Sequence, residues 1–167
     1  MTPPFVTEPL HQRHDRSGFR CGSEALDRYF RELASQDVRR RVAGCFVALD
    51  GDGRIAGFYT LAAASVVLDV LPEGMAKGLP RYPVVPAVLI GRLAVAVEYQ
   101  GRGLGQSLIV DAVARTDRLG IGAYTLLVDA KDDRARAFYE AHGFVLLRGE
   151  PRRLCLPMER LLRALKN

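Results

Sequence analysis

The chain has little of what metal centres, disulfide scaffolds and membrane anchors require. Its three cysteines, Cys21, Cys45 and Cys155, are odd in number, far apart and outside any Cys-x-x-Cys pair. That pattern argues against a disulfide framework and a zinc site of ordinary spacing, and predicts small, mostly buried hydrophobes. His11 and His14 have no further ligand at metal spacing beside them, so they read as turn or cap residues and no metal is predicted. The best apolar run, residues 61–71, is broken by Ser65 and Asp69 and falls short of the roughly 18 residues a membrane helix needs. The start, Met1-Thr2-Pro3-Pro4-Phe5, has neither a basic segment nor an apolar stretch followed by small residues, so no secretion signal and no membrane contact are predicted and the cytoplasm is the expected compartment. Repeats, low-complexity tracts and linkers are also lacking, which leaves one domain over residues 1–167.

What is present is a chain of 167 residues, 49% hydrophobic, with a formal net charge of +5. Its length allows a substantial core. The basic balance suits an anionic partner such as a polyphosphate cofactor or RNA, although charge alone does not choose between them.

Patterning predicts a mixed α/β order. Ser23 caps a helix over residues 24–40, in which Leu26, Tyr29, Phe30 and Leu33 recur at helical spacing. Cys45-Phe46-Val47-Ala48-Leu49 and Ile55-Ala56-Gly57-Phe58-Tyr59-Thr60-Leu61 flank the turn Asp50-Gly51-Asp52-Gly53 and predict a hairpin. Over residues 66–86, Pro72, Pro80, Pro83 and Pro86 with Gly74 and Gly78 exclude regular central structure for most of the stretch. This is an ordered excursion or a mobile loop, and it either shapes a substrate groove or is a plain surface insertion. Residues 88–97 read as a buried strand, and a helix from about residue 106 follows with Leu108, Ile109, Ala112, Val113 and Leu119 as its apolar positions. Thr125-Leu126-Leu127-Val128 is a short buried strand, and Asp132 or Asp133 opens a helix that Gly143 closes. A strand from Phe144 pairs with Arg153-Leu154-Cys155-Leu156. The tail from Glu159, with Leu161, Leu162 and Leu165, forms an amphipathic helix that docks on its own domain or joins a homodimer.

The chemistry concentrates in the strand, the turn Gln100-Gly101-Arg102-Gly103-Leu104-Gly105 and the helix behind it. Glycines let the backbone approach a ligand, and the free N–H groups and positive dipole end of a helix N-terminus face bound phosphate. A Walker loop is excluded because Gly105 is followed by Gln106-Ser107 rather than by Lys and a hydroxyl residue, and the glycine spacing is not that of a dinucleotide fingerprint.

The Gln-x-x-Gly-x-Gly segment resembles the GCN5-related N-acetyltransferase (GNAT) family. In that family the segment like Arg92-Leu93-Ala94-Val95 pairs its backbone with the pantetheine arm of acetyl-coenzyme A, and the segment like 100–105 wraps the pyrophosphate. Ala137-Phe138-Tyr139-Glu140-Ala141-His142-Gly143-Phe144 resembles the family's Phe-Tyr-x-x-x-Gly-Phe segment. Adjacent helical residues point about 100° apart, so Phe138 is assigned to the core and Tyr139 to the site. The resemblance implies an α/β fold with a mixed, mostly antiparallel central sheet flanked by helices. It also implies acetyl-CoA as donor, with Leu93, Ala94, Val95, Gln100, Gly101, Arg102, Gly103, Leu104 and Gly105 binding it. Acyl transfer needs donors for the oxyanion and a proton for the leaving thiolate. A phenol near pKa 10 can supply the latter, so Tyr139 is the candidate acid; the Val95 N–H is the candidate oxyanion donor. Glu98, His142 or a water chain are open as the base, and an α-amine, partly neutral at pH 7, needs little help.

His14-Asp15, Phe19-x-Cys21-Gly22-x-x-x-Leu26-Asp27, Gly57-Phe58-Tyr59-Thr60-Leu61, Leu79-Pro80-Arg81-Tyr82-Pro83 and Gly91-Arg92-Leu93-Ala94-Val95 together resemble the acetyltransferase toxins of bacterial toxin–antitoxin pairs. Phe58 stands where a second Tyr is common among them. The resemblance implies the α-amine of aminoacyl-tRNA as acceptor, blocked translation, and a ribbon-helix-helix antitoxin as partner. Arg39, Arg40, Arg41, Arg81 and Arg92 are the candidate RNA-facing residues; Arg39–Arg41 also suit a helix C-terminus and Arg92 a structural ion pair. Two rival readings are a small-molecule amine N-acetyltransferase and a non-catalytic regulatory binding protein. The excursion opposes Asp69 and Glu73 with Lys77 and Arg81, a poor attractor for a cationic amine, and a binding protein needs neither the 100–105 turn nor Tyr139.

Overall fold

A computed structural model describes residues 5–167, so all but Phe5 of the N-terminal segment considered for a leader lies outside it. Among the described residues seven strands form one sheet: β1 (Val6–Pro9), β2 (Gly44–Leu49), β3 (Ile55–Val67), β4 (Val84–Val95), β5 (Thr125–Asp129), β6 (Val145–Leu146) and β7 (Arg153–Pro157), in the order β1-β2-β3-β4-β5-β7-β6. β4 runs parallel to β5, and β1/β2, β2/β3, β5/β7 and β6/β7 are antiparallel. The expected mixed, mostly antiparallel sheet is therefore present. By contact the chain forms two compact units, Met1–Ala62 with Gly91–Ala112, and Ala63–Ile90 with Val113–Asn167.

In the first unit, Ser23 accepts the Leu26 N–H at 3.4 Å and opens α1 (Glu24–Arg28). The helix continues through a π turn, Tyr29–Leu33, into α2 (Ala34–Arg39). A π turn inserts one residue into the helical ladder and rotates the residues beyond it about the axis. Tyr29, Phe30 and Ala34 accordingly enter the core, while Leu33, expected inward, is 42% exposed. Periodicity assumes an unbroken 3.6-residue repeat, and the π turn breaks it. Phe30 stacks on Phe58 with ring centroids 4.1 Å apart, and Phe19 packs edge-on against both. The hairpin forms as expected, with a register shift between Ala48 and Leu49, but β3 runs six residues beyond the predicted Leu61. At Gly57 a Cβ would lie 2.9 Å from the Ala94 carbonyl oxygen, so glycine lets β3 and β4 approach at this point.

In the second unit, Val66, Leu71, Val85, Ala87, Leu127, Leu147 and Cys155 form the core. The Pro-rich excursion is shorter than expected, because β3 extends to Val67 and β4 begins at Val84. It is ordered: Met75 and Leu79 pack on that core, the Tyr124 hydroxyl donates to Met75 O at 3.2 Å, and Arg148 N donates to Val70 O at 2.9 Å. Pro86 lies inside β4, which its missing N–H was expected to prevent. The β4/β5 ladder starts at Ala87↔Thr125, so Pro86 stands just before it and forfeits no bond there, while its carbonyl accepts the Tyr124 N–H. Asp132 caps α4 (Asp133–Ala141), accepting the Ala135 N–H at 2.8 Å. The tail is α5 (Met158–Lys166), with Met158 buried, Leu161 and Leu162 half-buried and Leu165 exposed.

Candidate active site

The helix behind the glycine turn, α3 (Leu104–Arg118), starts two residues earlier than expected, so Leu104 and Gly105 form its first turn. Its apolar face is Leu104, Leu108, Ile109, Ala112 and Val113; Leu119, predicted to belong to it, lies past the helix end and is exposed. Ser107 N donates to Gly103 O at 3.1 Å, the first bond of the ladder, and the N–H groups before it belong to the open helix end. Gly101 and Gly103 both have positive φ, 78° and 81°, a backbone that L side chains rarely adopt. Gly101, Arg102 and Gly103 are exposed, whereas the Leu104 side chain is buried, so only its backbone can face a ligand. Together these residues place backbone amide groups at a helix N-terminus, chemistry suited to a polyphosphate.

Side chains hold that turn. The Gln100 amide donates to Val95 O at 2.9 Å and to Cys21 O at 2.8 Å. Cys21 N in turn donates to the buried Asp27 carboxylate at 2.9 Å, and Val97 N donates to Arg20 O at 2.8 Å. Thus Gln100, predicted to contact cofactor, spends its side chain on bracing the turn against the segment before α1. Tyr99 donates to Asp50 in the hairpin turn; this bond holds the Asp50 carboxyl below its ordinary range and raises the Tyr99 phenol. The sequence reading missed both braces. Cys21 and Asp27 stood out only as part of a resemblance, and no local spacing connects residues 21 and 100.

On β4, Ala94 is buried while Leu93 and Val95 are half-buried. The buried Thr60 hydroxyl accepts the Arg92 N–H at 3.0 Å, and Ala56 O accepts the Ala96 N–H at 2.8 Å, so β3 fixes both ends of the 92–96 stretch. Arg92 is not in an ion pair among the described residues. Its guanidinium carbon lies 3.7 Å from the Tyr29 ring centroid, a cation–π contact.

In the second unit, α4 carries the two aromatics in the reverse of one expectation. Tyr139 is buried, 7% exposed, and packs edge-on against Phe144 at 5.3 Å, whereas Phe138, assigned to the core, is only half-buried and contacts His142. The two rings do not separate: they stay in edge-on contact with centroids 5.2 Å apart, and Phe144 packs on the tyrosine as well. Burial pushes the Tyr139 phenol up to about 12, so it keeps its proton throughout the neutral range. His142 places Nδ1 2.8 Å from Phe138 O, and Glu98 is exposed. Arg39, Arg40, Arg41 and Arg81 are all exposed. His14 Nδ1 accepts the His11 N–H at 2.9 Å and Nε2 faces Glu8 at 2.6 Å, the turn role read from sequence. Among the described residues no group of three His, Cys, Asp or Glu is placed to hold a metal, and no helix is long and apolar enough to cross a membrane.

The profile of the acetyltransferase (GNAT) family matches residues 8–144. The chain belongs to this family. It is an acetyl-CoA-dependent N-acetyltransferase, and its strand, glycine turn and helix are those of a GNAT fold. A tRNA-acetylating toxin of Mycobacterium tuberculosis (strain ATCC 25618 / H37Rv) is 38% identical over 147 residues, 87% of each chain. A probable toxin TacT of Sinorhizobium fredii (strain NBRC 101917 / NGR234) is 30% identical over 164 residues, 92% of this chain and 91% of that one. The solved structure of AtaT complexed with acetyl-methionyl-tRNAfMet aligns with a TM-score of 0.87 at 27% identity, covering 96% of this GNAT chain and 99% of the other.

Proposed function

We propose that this acetyltransferase is a toxin that moves the acetyl group of acetyl-CoA onto the α-amine of an aminoacyl-tRNA, and so removes that tRNA from translation. The observation that carries the reading is likeness over nearly the whole chain to a tRNA-acetylating toxin, 38% identical across 87% of both. A net charge of +5 and exposed Arg39, Arg40, Arg81 and Arg92 support a polyanionic acceptor. The toxin acts in the cytoplasm and is neutralised by a ribbon-helix-helix antitoxin, and the exposed Leu165 of α5 supports a homodimer.

The N–H groups of Gly101, Arg102, Gly103, Leu104 and Gly105 bind the pyrophosphate, with Gln100 holding their turn, while Leu93, Ala94 and Val95 present backbone groups to the pantetheine arm. The neutral α-amine attacks the thioester carbonyl carbon, the C–N bond forms, and the oxyanion is met by the Val95 N–H. On collapse the C–S bond breaks and the electron pair leaves on sulfur, where the Tyr139 hydroxyl donates a hydrogen bond. A phenol raised to about 12 is a poor source of free protons, so it acts as a relay: the thiolate ends protonated and the proton lost by the amine restores the phenol. No side-chain base is required, since an α-amine with pKa about 7.7–8.0 is already partly neutral near pH 7.

The test is transfer of labelled acetyl from acetyl-CoA to a total aminoacyl-tRNA pool, with free amines in parallel. Label on the aminoacyl end supports the toxin reaction and identifies the tRNA on sequencing. Label on a free amine alone replaces it with small-molecule acetylation, and acetyl-CoA binding without transfer to either leaves a binding protein.

A further inference from the structure

Arg92 sits one residue before the proposed pantetheine strand, 92–95 being continuous in β4, and it is held at both ends of its length. Its backbone N–H is taken by the buried Thr60 hydroxyl at 3.0 Å. The neighbouring Gly91 has Thr60 Oγ1 3.1 Å from where a Cβ would be, so backbone and hydroxyl are already in tight contact. Its guanidinium lies 3.7 Å over the ring of Tyr29, whose own hydroxyl donates to Asp37 Oδ2 at 2.8 Å. Tyr29 is 5% exposed and sits in the π turn, so the ring under the guanidinium is itself fixed by the core. An exposed arginine ordinarily samples many rotamers and loses that freedom on binding; one held over a buried ring has lost much of it beforehand. A cation–π contact uses no hydrogen-bond donor of the guanidinium, and no carboxylate among the described residues forms an ion pair with it. Held in place with its donors unspent on a carboxylate, it is suited to forked binding of a phosphate.

We infer that Tyr29 and Asp37 preset the Arg92 guanidinium as a phosphodiester contact for the acceptor, which makes the α1–α2 segment a determinant of acceptor class. The inference rests on the aminoacyl-tRNA reading and adds a residue set that selects an acceptor with a phosphate backbone over a free amine. Arg39, exposed on α2, and Arg40 just beyond it extend the same basic segment. A coenzyme phosphate is the other possible source of the anion, and the two sources separate experimentally.

The experiment compares full-length wild type with Arg92→Met, which keeps the aliphatic length and loses the charge, and with Tyr29→Phe and Asp37→Asn, which keep the ring and loosen its anchor. Three quantities are measured: KM for acetyl-CoA, KM for aminoacyl-tRNA, and the slope of log affinity for tRNA against log salt. Loss of one phosphate contact by Arg92→Met is expected to lower the slope by about 1 and raise the tRNA KM roughly tenfold. KM for acetyl-CoA stays within about twofold, because the substitution changes a side chain while the coenzyme is proposed to meet only the backbone of this strand. Tyr29→Phe and Asp37→Asn are expected to raise the tRNA KM about threefold with the salt slope unchanged, because the Arg92 charge is retained and only its preorganisation is lost. An unchanged slope in Arg92→Met, or an equal rise in both KM values, overturns the inference while the tRNA reading stands. A wild-type enzyme that acetylates no aminoacyl-tRNA overturns both.

Discussion

Gly57→Ala isolates the approach of β3 to the strand proposed to carry pantetheine. The added Cβ would stand 2.9 Å from Ala94 O and 3.2 Å from a Leu108 methyl, where ordinary contacts begin at 3.4 Å. Leu108 is the end of a side chain and can turn aside. Ala94 O is backbone, held in a strand whose neighbouring Ala96 N–H is bonded to Ala56 O, so relief requires β4 to shift by about 0.5 Å, the shortfall in that contact. Overpacking of this kind costs about 1–3 kcal/mol. Gly57 has no positive φ, so alanine recovers about 0.4–1 kcal/mol by restricting the unfolded chain. The net expectation is a loss of about 0–2.6 kcal/mol, at about 2–4 °C in Tm for each kcal/mol in a chain of this size. Urea denaturation and calorimetry measure it, with Gly122→Ala as control: a Cβ there meets nothing within 4 Å, so that chain is expected to gain about 0.4–1 kcal/mol without the steric loss. Because Ala94 lies between Leu93 and Val95, the same shift is expected to weaken acetyl-CoA. A Gly57→Ala chain as stable as the Gly122→Ala control would refute the argument that β3 and β4 are in backbone contact at this point.

Other substitutions test the remaining parts. Tyr139→Phe is expected to lower kcat by about 10²–10⁴ with KM for acetyl-CoA little changed, as removal of a transition-state donor does; a wild-type rate in stopped assays rules out the relay role. The same phenol carries a stability signature. Its folded pKa of about 12 lies above the ordinary 10, so the neutral form is favoured by folding, and the contribution is complete below pH 10 and lost as pH rises from 10 through 12. Wild type is expected to lose stability over that window more steeply than Tyr139→Phe in urea melts, and parallel profiles would count against burial of the hydroxyl. Gln100→Ala removes bonds to Val95 O and Cys21 O, each worth about 0.5–1.5 kcal/mol, and is expected to weaken acetyl-CoA about tenfold by calorimetric titration; unchanged affinity would mean that the turn holds its shape without the brace.

The sequence alone determined the features whose causes are local. The Ser23 cap, a helix start at Asp132 or Asp133, the hairpin across Asp50-Gly51-Asp52-Gly53 and the apolar face of α3 between Leu108 and Val113 were legible because capping, turn chemistry and helical period act within a few residues. The glycine turn and its following helix were legible for the same reason. Tertiary structure decided what depends on partners distant in the chain. A π turn, visible only once Phe30 meets Phe58, turned Leu33 outward and Ala34 inward. Burial under Phe144 exchanged the expected environments of Phe138 and Tyr139. The Gln100 amide reaches Cys21 across 79 residues, and Arg92 meets Tyr29 across 63, contacts that no periodicity encodes. Spacing along the chain sets which face a residue presents, but only packing sets what that face meets, and the chemistry proposed for Gln100, Arg92 and Tyr139 depends on the second.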